Sequence, residues 1–370
     1  MKLNTLYCGD NLEILKTIPN ESVDCVVTSP PYWALRDYGI DGQLGLEPTF
    51  QEYITKLCDI FDEVKRLLKK TGTCFVNLGD TYFGGGNNRG GSFDTGTKQS
   101  TNRGTWNPED ETHQFPWGDY YVSKCLCCIP DRFKIEMINR GWILRNEIIW
   151  FKRNCMPSSV KDRLTVDFEK VFFFVKSKRY WFEQQYIPTA TKDDSVRNRD
   201  ITKLNNVPGR SRMAGLTVNN YDYRNTRCVW DIPTMPFKDA HFAVFPEKLV
   251  EPMIMAGCPS QICKKCGKAK EPIFKTEKQH SIGATSGRYW VERDFVGDNT
   301  VRNLSKKVGY TDCGCNVGFE GGICLDPFIG SGTTAVVARK LGRNYIGIDL
   351  NPNYIKMAED RIKTVTPPLF

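Results

Sequence analysis

The chain has 370 residues, of which 40% are apolar and 25% are charged, with 31 Gly and 20 Pro. This composition is that of a folded globular protein and excludes a disordered, collagen-like or coiled-coil chain. The 51 Lys and Arg residues exceed the 43 Asp and Glu residues, and the resulting net charge of +8 suits a polyanionic partner without requiring one.

The length allows one large domain with insertions or two domains. The sequence has no apolar run near the roughly 18 to 20 residues that cross a bilayer, and its first residues, MKLNTLYCGDNLEIL, become polar too early for a signal peptide. We therefore expect a cytoplasmic protein with no membrane partner.

The 15 Cys residues should be reduced in the cytoplasm, so clustered ones indicate metal ligands rather than disulfides.

The amino-terminal part alternates between strand and helix patterns. Its strands are predicted over 2–8, 23–28 and 73–78, and its helices over 11–17 and 50–68. The second helix follows from apolar residues at a period of 3.6 and is expected to end at Thr71-Gly72. This alternation predicts an α/β sheet with parallel strands.

Residues 84–118 contain GGGNNRGG and few aliphatic side chains, which predicts a long, flexible surface loop. The α/β pattern resumes with a helix around Phe133 and strands over 142–151 and 171–175. Residues 184–230 are rich in Arg and Asn, and aromatic residues are interleaved among them. That composition favours a nucleic-acid-reading segment. The alternative is a solvated loop packed on the sheet.

The carboxy-terminal part predicts a nucleoside site. A strand over 323–325 leads into the Gly-rich turn DPFIGSGTT and a helix over 335–341, and the strand over 345–348 ends in Asp349. Glycines let the backbone approach a ligand, the helix start offers free amides, and the carboxylate accepts from ribose hydroxyls. The turn matches neither GxGxxG nor GxxxxGK, and alone it does not separate a dinucleotide from S-adenosylmethionine.

A second chemical pattern, Thr28-Ser29-Pro30-Pro31-Tyr32-Trp33, directly follows a buried strand. The two prolines fix the backbone with its carbonyls outward, Ser29 offers an oxygen and Tyr32 a flat face. This set fits a planar base whose exocyclic amine donates to Ser29 and to the Pro30 carbonyl, while Tyr32 stacks on the flipped ring. The alternative is a proline-rich strand end with a packed aromatic residue.

Together the two patterns resemble the amino-methylating DNA methyltransferases of the permuted (beta) class, with SPPY near the amino terminus and DPFxGSGT near the carboxy terminus. The resemblance spans nearly the whole chain, through TSPPYW, LRDYG, NLGD, GWILRNEIIWFK, MPSSVKDR, HFAVFPEKLVEPMI, DPFIGSGTT and YIGIDLNPNYI. It implies a Rossmann-like α/β methyltransferase fold, a mostly parallel sheet with helices on both faces. It also implies direct methyl transfer from S-adenosylmethionine to an amine in double-stranded DNA.

The resemblance also assigns roles to residues of this chain. Methyl transfer would be carried by Ser29, Pro30, Pro31 and Tyr32. The cofactor pocket would comprise Asp326, Phe328, Gly330, Ser331, Gly332 and Thr333, with Asp349 on the ribose. Phe245, in the FPEKL segment, would close over the methionine end of the cofactor, and Asp10 would contact its adenine.

Ser at the first position of the SPPY motif favours cytosine N4 in such enzymes, whereas Asp there usually marks adenine N6. Cytosine N4 is therefore the expected target of a site-specific enzyme, with adenine N6 as the alternative. Methylation of cytosine C5 is disfavoured because it needs a Cys nucleophile, and the chain contains no Pro-Cys dipeptide. A protein amide methyltransferase and an inactive zinc-containing DNA-binding protein are further alternatives, and a paired restriction endonuclease would be a further partner.

Two thiol pairs, Cys263-Lys-Lys-Cys266 and Cys313-Gly-Cys315, predict a structural zinc site, with unliganded surface thiols as the alternative. Compared with the family, residues 261–320 resemble an inserted zinc ribbon. The predicted organisation is a catalytic half over 1–183, a target-recognition segment over 184–235, a cofactor-binding half over 236–260 and 321–370, and the ribbon over 261–320.

Overall fold

The computed structural model describes residues 1–35, 37–83, 124–188, 223–235, 245–280 and 301–366. The predicted loop over 84–118 and most of the segment over 184–230 lie outside these residues. No helix within the described ranges is long and apolar enough to span a bilayer.

The described elements alternate along the chain much as the sequence predicts. The strands are β1 (Thr5–Cys8), β2 (Val23–Thr28), β3 (Leu68–Leu78), β4 (Ile143–Phe151), β5 (Phe168–Val175), β6 (Tyr186–Pro188), β7 (Tyr223–Asn225), β8 (Val229–Asp231), β9 (Ile262–Cys263), β10 (Pro272–His280), β11 (Val301–Tyr310), β12 (Phe319–Glu320), β13 (Ile323–Asp326) and β14 (Asn344–Asp349). The helices are α1 (Asn11–Thr17), α2 (Phe50–Leu67), α3 (Ile129–Asn139), α4 (Glu247–Gly257), α5 (Thr333–Lys340) and α6 (Pro352–Lys363).

Eight strands form one sheet in the order β1-β14-β13-β2-β3-β5-β4-β8. Strands β1, β14, β13, β2 and β3 pair in parallel, and β4 pairs in parallel with β8. Within this sheet β5 alone runs antiparallel to its neighbours β3 and β4. The predicted, mostly parallel sheet is confirmed.

Helices cover both faces of the sheet, as predicted. One apolar core contains Leu15 of α1, Phe61 of α2 and Phe133 of α3. The other core contains residues of α4, α5 and α6, including Met253. Consecutive residues of β2 point into opposite cores, Val26 into the first and Val27 into the second, because side chains alternate along a strand.

The chain leaves the two central neighbours β2 and β13 in opposite directions. From β2 it passes through α2, on one face, to β3; from β13 it passes through α5, on the other face, to β14. Loops that diverge in this way leave a crevice at the carboxyl ends of the strands, where α/β proteins bind their ligands. The SPPY segment and the Gly-rich turn follow these two strands.

The predicted end of α2 at Thr71-Gly72 is wrong. The helix ends at Leu67, and β3 begins at the next residue, so Gly72 lies within a strand. A register shift of β3 against β2, opposite Asp24, lets the chain continue without a loop. A Cβ on Gly72 would lie 2.6 Å from Cγ of Leu68. The glycine therefore lets the Leu68 side chain pack against the strand backbone, and it does not end a helix.

The chain divides into two compact units. The first comprises 1–183, 227–269 and 315–370 and holds the eight-stranded sheet. The second comprises 184–226 and 270–314, with β6 and β7 paired antiparallel and β10 and β11 paired antiparallel. The roles predicted for the recognition segment and the ribbon remain predictions.

Candidate active site

A buried carboxylate joins the SPPY segment to the Gly-rich turn. Asp326 ends β13, and its Oδ1 accepts hydrogen bonds from the Thr28 hydroxyl at 2.6 Å and from the Phe328 amide at 3.0 Å. Its Oδ2 accepts from the Thr334 hydroxyl at 2.7 Å. Burial raises the pKa of Asp326 to about 6, against these hydrogen bonds, which lower it. Asp326 is itself fully buried. Through these hydrogen bonds it holds the SPPY segment next to the Gly-rich turn.

The two glycines of the turn serve different purposes. Gly330 and Gly332 both have positive φ, +49° and +86°. A Cβ on Gly332 would lie 2.7 Å from the Cβ and 2.9 Å from the Cα of Ala358 on α6, whereas the atom nearest a Cβ on Gly330 is the Phe328 oxygen at 3.9 Å. Gly332 therefore allows helix packing, and Gly330 borders open space of the kind a ligand occupies.

Two other predicted cofactor residues have their side chains engaged by α6. Arg361 donates to the Ser331 hydroxyl at 2.9 Å and to the Thr333 hydroxyl at 3.2 Å. Both residues are buried, whereas Phe328 and Gly330 are partly exposed. Through these hydroxyls Ser331 and Thr333 hold the turn against α6.

Two acids lie at the carboxyl ends of neighbouring strands. Asp349 ends β14, and its carboxylate accepts from the amides of Gly330 at 2.9 Å and Asn351 at 2.8 Å. Burial raises the pKa of Asp349 despite these two hydrogen bonds. Asp10 follows β1, is exposed, and caps α1 by accepting from the Glu13 amide at 3.0 Å. Asp349 lies against the Gly-rich turn, as its predicted role requires.

Phe245, predicted to close over the cofactor, lies one residue before Pro246, the amino-terminal cap of α4. Its ring is partly buried and packs against the apolar core that α4, α5 and α6 share. The structure therefore places Phe245 on the same face of the sheet as the helix that follows the Gly-rich turn.

The hydroxyls of the SPPY segment converge on Asn77 of β3. The Tyr32 hydroxyl lies 3.2 Å from Asn77 Oδ1, and the Ser29 hydroxyl lies 3.4 Å from the same oxygen and 3.5 Å from the Tyr32 hydroxyl. Tyr32 also donates to Glu169 Oε2 at 2.7 Å. Burial and the charge of Glu169 raise the pKa of Tyr32 well above its usual range, so the phenol stays protonated.

The SPPY backbone is anchored on both sides. The Tyr53 hydroxyl donates to the Pro31 carbonyl at 2.7 Å, and the Ala34 amide donates to the Gly45 carbonyl at 2.8 Å. Pro30 is buried. The Tyr32 ring lies on Gly79, where a Cβ would come within 2.5 Å of Cε2. The position of the ring thus depends on the absence of a side chain at residue 79.

Gly79→Ala is therefore expected to displace the Tyr32 ring and to lower the rate of the reaction at this site by about 10- to 100-fold, with a stability loss of about 1 to 3 kcal/mol. Gly309→Ala is the control, because a Cβ at residue 309 meets no atom within 4 Å. Single-turnover rates and urea denaturation of both variants check the prediction. A Gly79→Ala protein as fast as wild type would contradict it.

The structure adds residues that the sequence did not single out. Asn77 lies in the NLGD motif and Lys152 ends GWILRNEIIWFK, but these motifs assign the two residues no role, and Glu169 lies in no motif. Glu169 forms an ion pair with Lys152 and stands opposite Trp150 in the sheet. One signal was available: an acid next to the apolar run of FEKVFFFV is costly to bury unless it has a partner.

The four Cys residues predicted to bind zinc come together. The Sγ atoms of Cys263, Cys266, Cys313 and Cys315 all lie within 4.8 Å of one another. A glycine with positive φ accompanies each pair: Gly267 follows Cys266, and Gly314 lies between Cys313 and Cys315. Cys258 and Cys324, assigned to the parent fold, are fully buried in the core of the sheet.

Comparison with known proteins agrees with this geometry. Residues 23–262 and 301–360 match the family model of the DNA methylases termed N6_N4_Mtase. The chain belongs to this family. It is 33% identical to the Type II methyltransferase M.Cfr9I of Citrobacter freundii over 97% of this chain and 87% of that protein. It is 31% identical to the Type II methyltransferase M.SmaI of Serratia marcescens over 96% of this chain and 90% of that protein.

The fold of this DNA methyltransferase is shared with a solved structure, that of the PvuII DNA methyltransferase (cytosine-N4-specific). The likeness has a TM-score of 0.53 and covers 99% of this chain and 89% of that one, at 19% sequence identity. At this identity the likeness confirms the Rossmann-like methyltransferase fold that the motifs predict.

Proposed function

We propose that this DNA methyltransferase transfers the methyl group of S-adenosylmethionine to the N4 amine of a cytosine flipped out of double-stranded DNA at a specific site. The observation that carries the proposal is the Thr28–Asp326 hydrogen bond of 2.6 Å. It holds the amine-binding segment beside the Gly-rich turn, at the ends of adjacent parallel strands. Direct transfer needs donor and acceptor side by side in one crevice.

The residues of the turn fit S-adenosylmethionine, which supplies an electrophilic methyl group when bound. Gly330 borders open space, and the helix α5 begins two residues after Ser331. Asp349 uses one lone pair on each oxygen for backbone amides, which leaves acceptor sites for two ribose hydroxyls. The match of residues 23–262 and 301–360 to the DNA methylase family favours this methyl donor over a dinucleotide.

The target amine would donate one hydrogen to the Ser29 hydroxyl and the other to the Pro30 carbonyl. Both bonds draw the nitrogen toward a pyramidal geometry and leave its lone pair free to face the methyl group. The nitrogen would gain the methyl group as the S–C bond breaks, with a neutral thioether as the leaving group, and it would then release one proton to water. Ser29, where other members of such a family carry Asp, supports cytosine N4, and adenine N6 is the alternative for the same site.

The recognition segment over 184–235 would contact the DNA, and its excess of basic residues suits the phosphate backbone. A restriction endonuclease that cuts the same sequence would be the partner in a restriction–modification system, a proposal supported by the Type II methyltransferases among the relatives.

Expression in a host without DNA methylation tests the proposal. Genomic DNA would be sequenced by a method that separates N4-methylcytosine from N6-methyladenine. We expect N4-methylcytosine in one short motif. Methyladenine would overturn the role given to Ser29 but keep the enzyme class, and an unmodified genome would favour an inactive DNA-binding protein.

The four-Cys cluster is proposed to bind structural zinc, because four thiolates at this spacing match a closed tetrahedral site. Cys266→Ser is expected to reduce the zinc content from about one ion per chain to near zero and to lower the melting temperature. Cys125→Ser, at an exposed Cys outside the cluster, is the control and should keep its metal. Elemental analysis of both purified variants decides; equal zinc in the two would contradict the site.

A further inference from the structure

Beside the SPPY segment lies an acid that no motif contains. Glu169, on β5, accepts the Tyr32 hydroxyl on Oε2 at 2.7 Å and the Lys152 ammonium on Oε1. The side chains of Glu169 and Lys152 are only 17% and 18% exposed. Holding two charges largely out of water has an energetic cost that their mutual attraction repays only when the geometry is good.

Its position fixes which way the hydrogen bonds around Ser29 run. Tyr32 has one hydroxyl hydrogen, and since Glu169 takes it, the Tyr32 oxygen can only accept from Ser29. Asn77 Oδ1 is also an acceptor, because its Nδ2 donates to the Lys170 carbonyl at 3.2 Å. Tyr32 and Asn77, the two neighbours of the Ser29 hydroxyl, therefore both accept. The hydrogen of Ser29 points toward them, and its lone pairs point away from them, toward the crevice.

We propose that Glu169 is a positioning residue that sets the direction of the chain Ser29–Tyr32–Glu169, so that Ser29 offers the target amine an acceptor and never a donor. The inference rests on the proposed function. A Ser29 hydrogen pointing outward would bind the amine nitrogen through the lone pair that must attack the methyl group. Hydrogen bonds in a chain polarise one another, so the carboxylate at its end strengthens the acceptor at its start.

Glu169→Gln tests the direction at almost unchanged shape. Lysine only donates, so the carbonyl oxygen of the new amide must face Lys152 and its NH₂ group must face Tyr32. Tyr32 then becomes an acceptor toward residue 169, and its own hydrogen turns toward Asn77 Oδ1, 3.2 Å away, where it competes with the Ser29 hydrogen for the same acceptor. We expect the single-turnover rate of methyl transfer to fall about 10- to 100-fold at saturating DNA and S-adenosylmethionine, with dissociation constants for both within about threefold of wild type.

The double variant Glu169→Gln/Lys152→Met separates direction from mere packing. Without the ammonium, the amide can rotate and present its oxygen to Tyr32, which restores the original direction. We expect the double variant to be faster than Glu169→Gln alone and to approach the rate of Lys152→Met. A purely structural role of Glu169 predicts the opposite, since a second change in the same contact would slow the enzyme further.

Fluorescence of 2-aminopurine at the target position would show that each variant still flips the base. A Glu169→Gln rate within threefold of wild type, or a double variant no faster than Glu169→Gln, would overturn the inference. Wild-type protein that binds S-adenosylmethionine and DNA but transfers no methyl group would instead contradict the proposed function, and the inference with it.

Discussion

Asp326→Ala is expected to lower the free energy of unfolding by about 3 to 5 kcal/mol and to abolish methyl transfer. The change removes, in a fully buried position, the acceptor of the Thr28 hydroxyl and of the Phe328 amide. The Thr334 hydroxyl also loses a bond to Asp326 but can still donate to the Val27 carbonyl at 3.2 Å. Each unsatisfied buried donor costs about 1 to 3 kcal/mol, and the truncated side chain leaves a cavity. Urea denaturation measures the loss. A variant within about 1 kcal/mol of wild type would show that Asp326 does not hold the two segments together.

Asp326→Asn is the matched control, because it keeps the volume and one acceptor but cannot ionise. The pKa of Asp326 in the folded protein, about 6, lies above 3.8, the ordinary pKa of an aspartate side chain. The native state therefore binds this proton more tightly, so the associated stability is fully present below pH 3.8 and is lost as the pH rises through 6. Relative to Asp326→Asn, wild type should lose about 1 kcal/mol of stability between pH 5 and pH 7.

The bounds of some elements can be predicted from the sequence, because the residues that determine them lie within the element or next to it. The bounds of α1 and β2 agree with the prediction, since Asp10 caps the helix and an unbroken apolar run forms the strand. The end of α2 was not predictable in this way. Leu68 continues the helical period, and it joins β3 only because Val23 of β2 pairs with it across the sheet. That pairing is a tertiary constraint that outweighs the local pattern.

The candidate site shows the same division. The two motifs predict a nucleoside pocket and an amine-binding segment. In the structure the two chain segments lie side by side and are joined by Asp326. Asn77 and Glu169 reach Tyr32 only through the antiparallel pairing of β3 with β5, from positions 45 and 137 residues away in the chain. The hold of Arg361 on Ser331 and Thr333 depends likewise on how α6 packs. Such contacts leave no periodic or motif signal.

Gly330→Ala is expected to weaken S-adenosylmethionine binding by at least about 100-fold while the protein stays folded. The added Cβ would enter the open space next to the Gly330 amide, which donates to Asp349. The proposed nucleoside must approach the backbone at this point. Within the protein the Cβ would meet only the Phe328 oxygen, at 3.9 Å. The remaining cost is the positive φ of +49°, about 1 to 2 kcal/mol.

Two further glycines separate these effects. Gly318→Ala carries the same kind of strain, with φ of +81° and no atom within 4 Å of the added Cβ, so it should lose similar stability but no cofactor affinity. Gly332→Ala should lose more stability than either, because its Cβ meets the backbone of α6 at 2.9 Å. Calorimetric titration with S-adenosylmethionine and thermal unfolding of all three give the comparison. If Gly330→Ala and Gly318→Ala bound the cofactor equally well, the turn around Gly330 would not be the cofactor site, because strain is common to both and only the open space beside Asp349 distinguishes them.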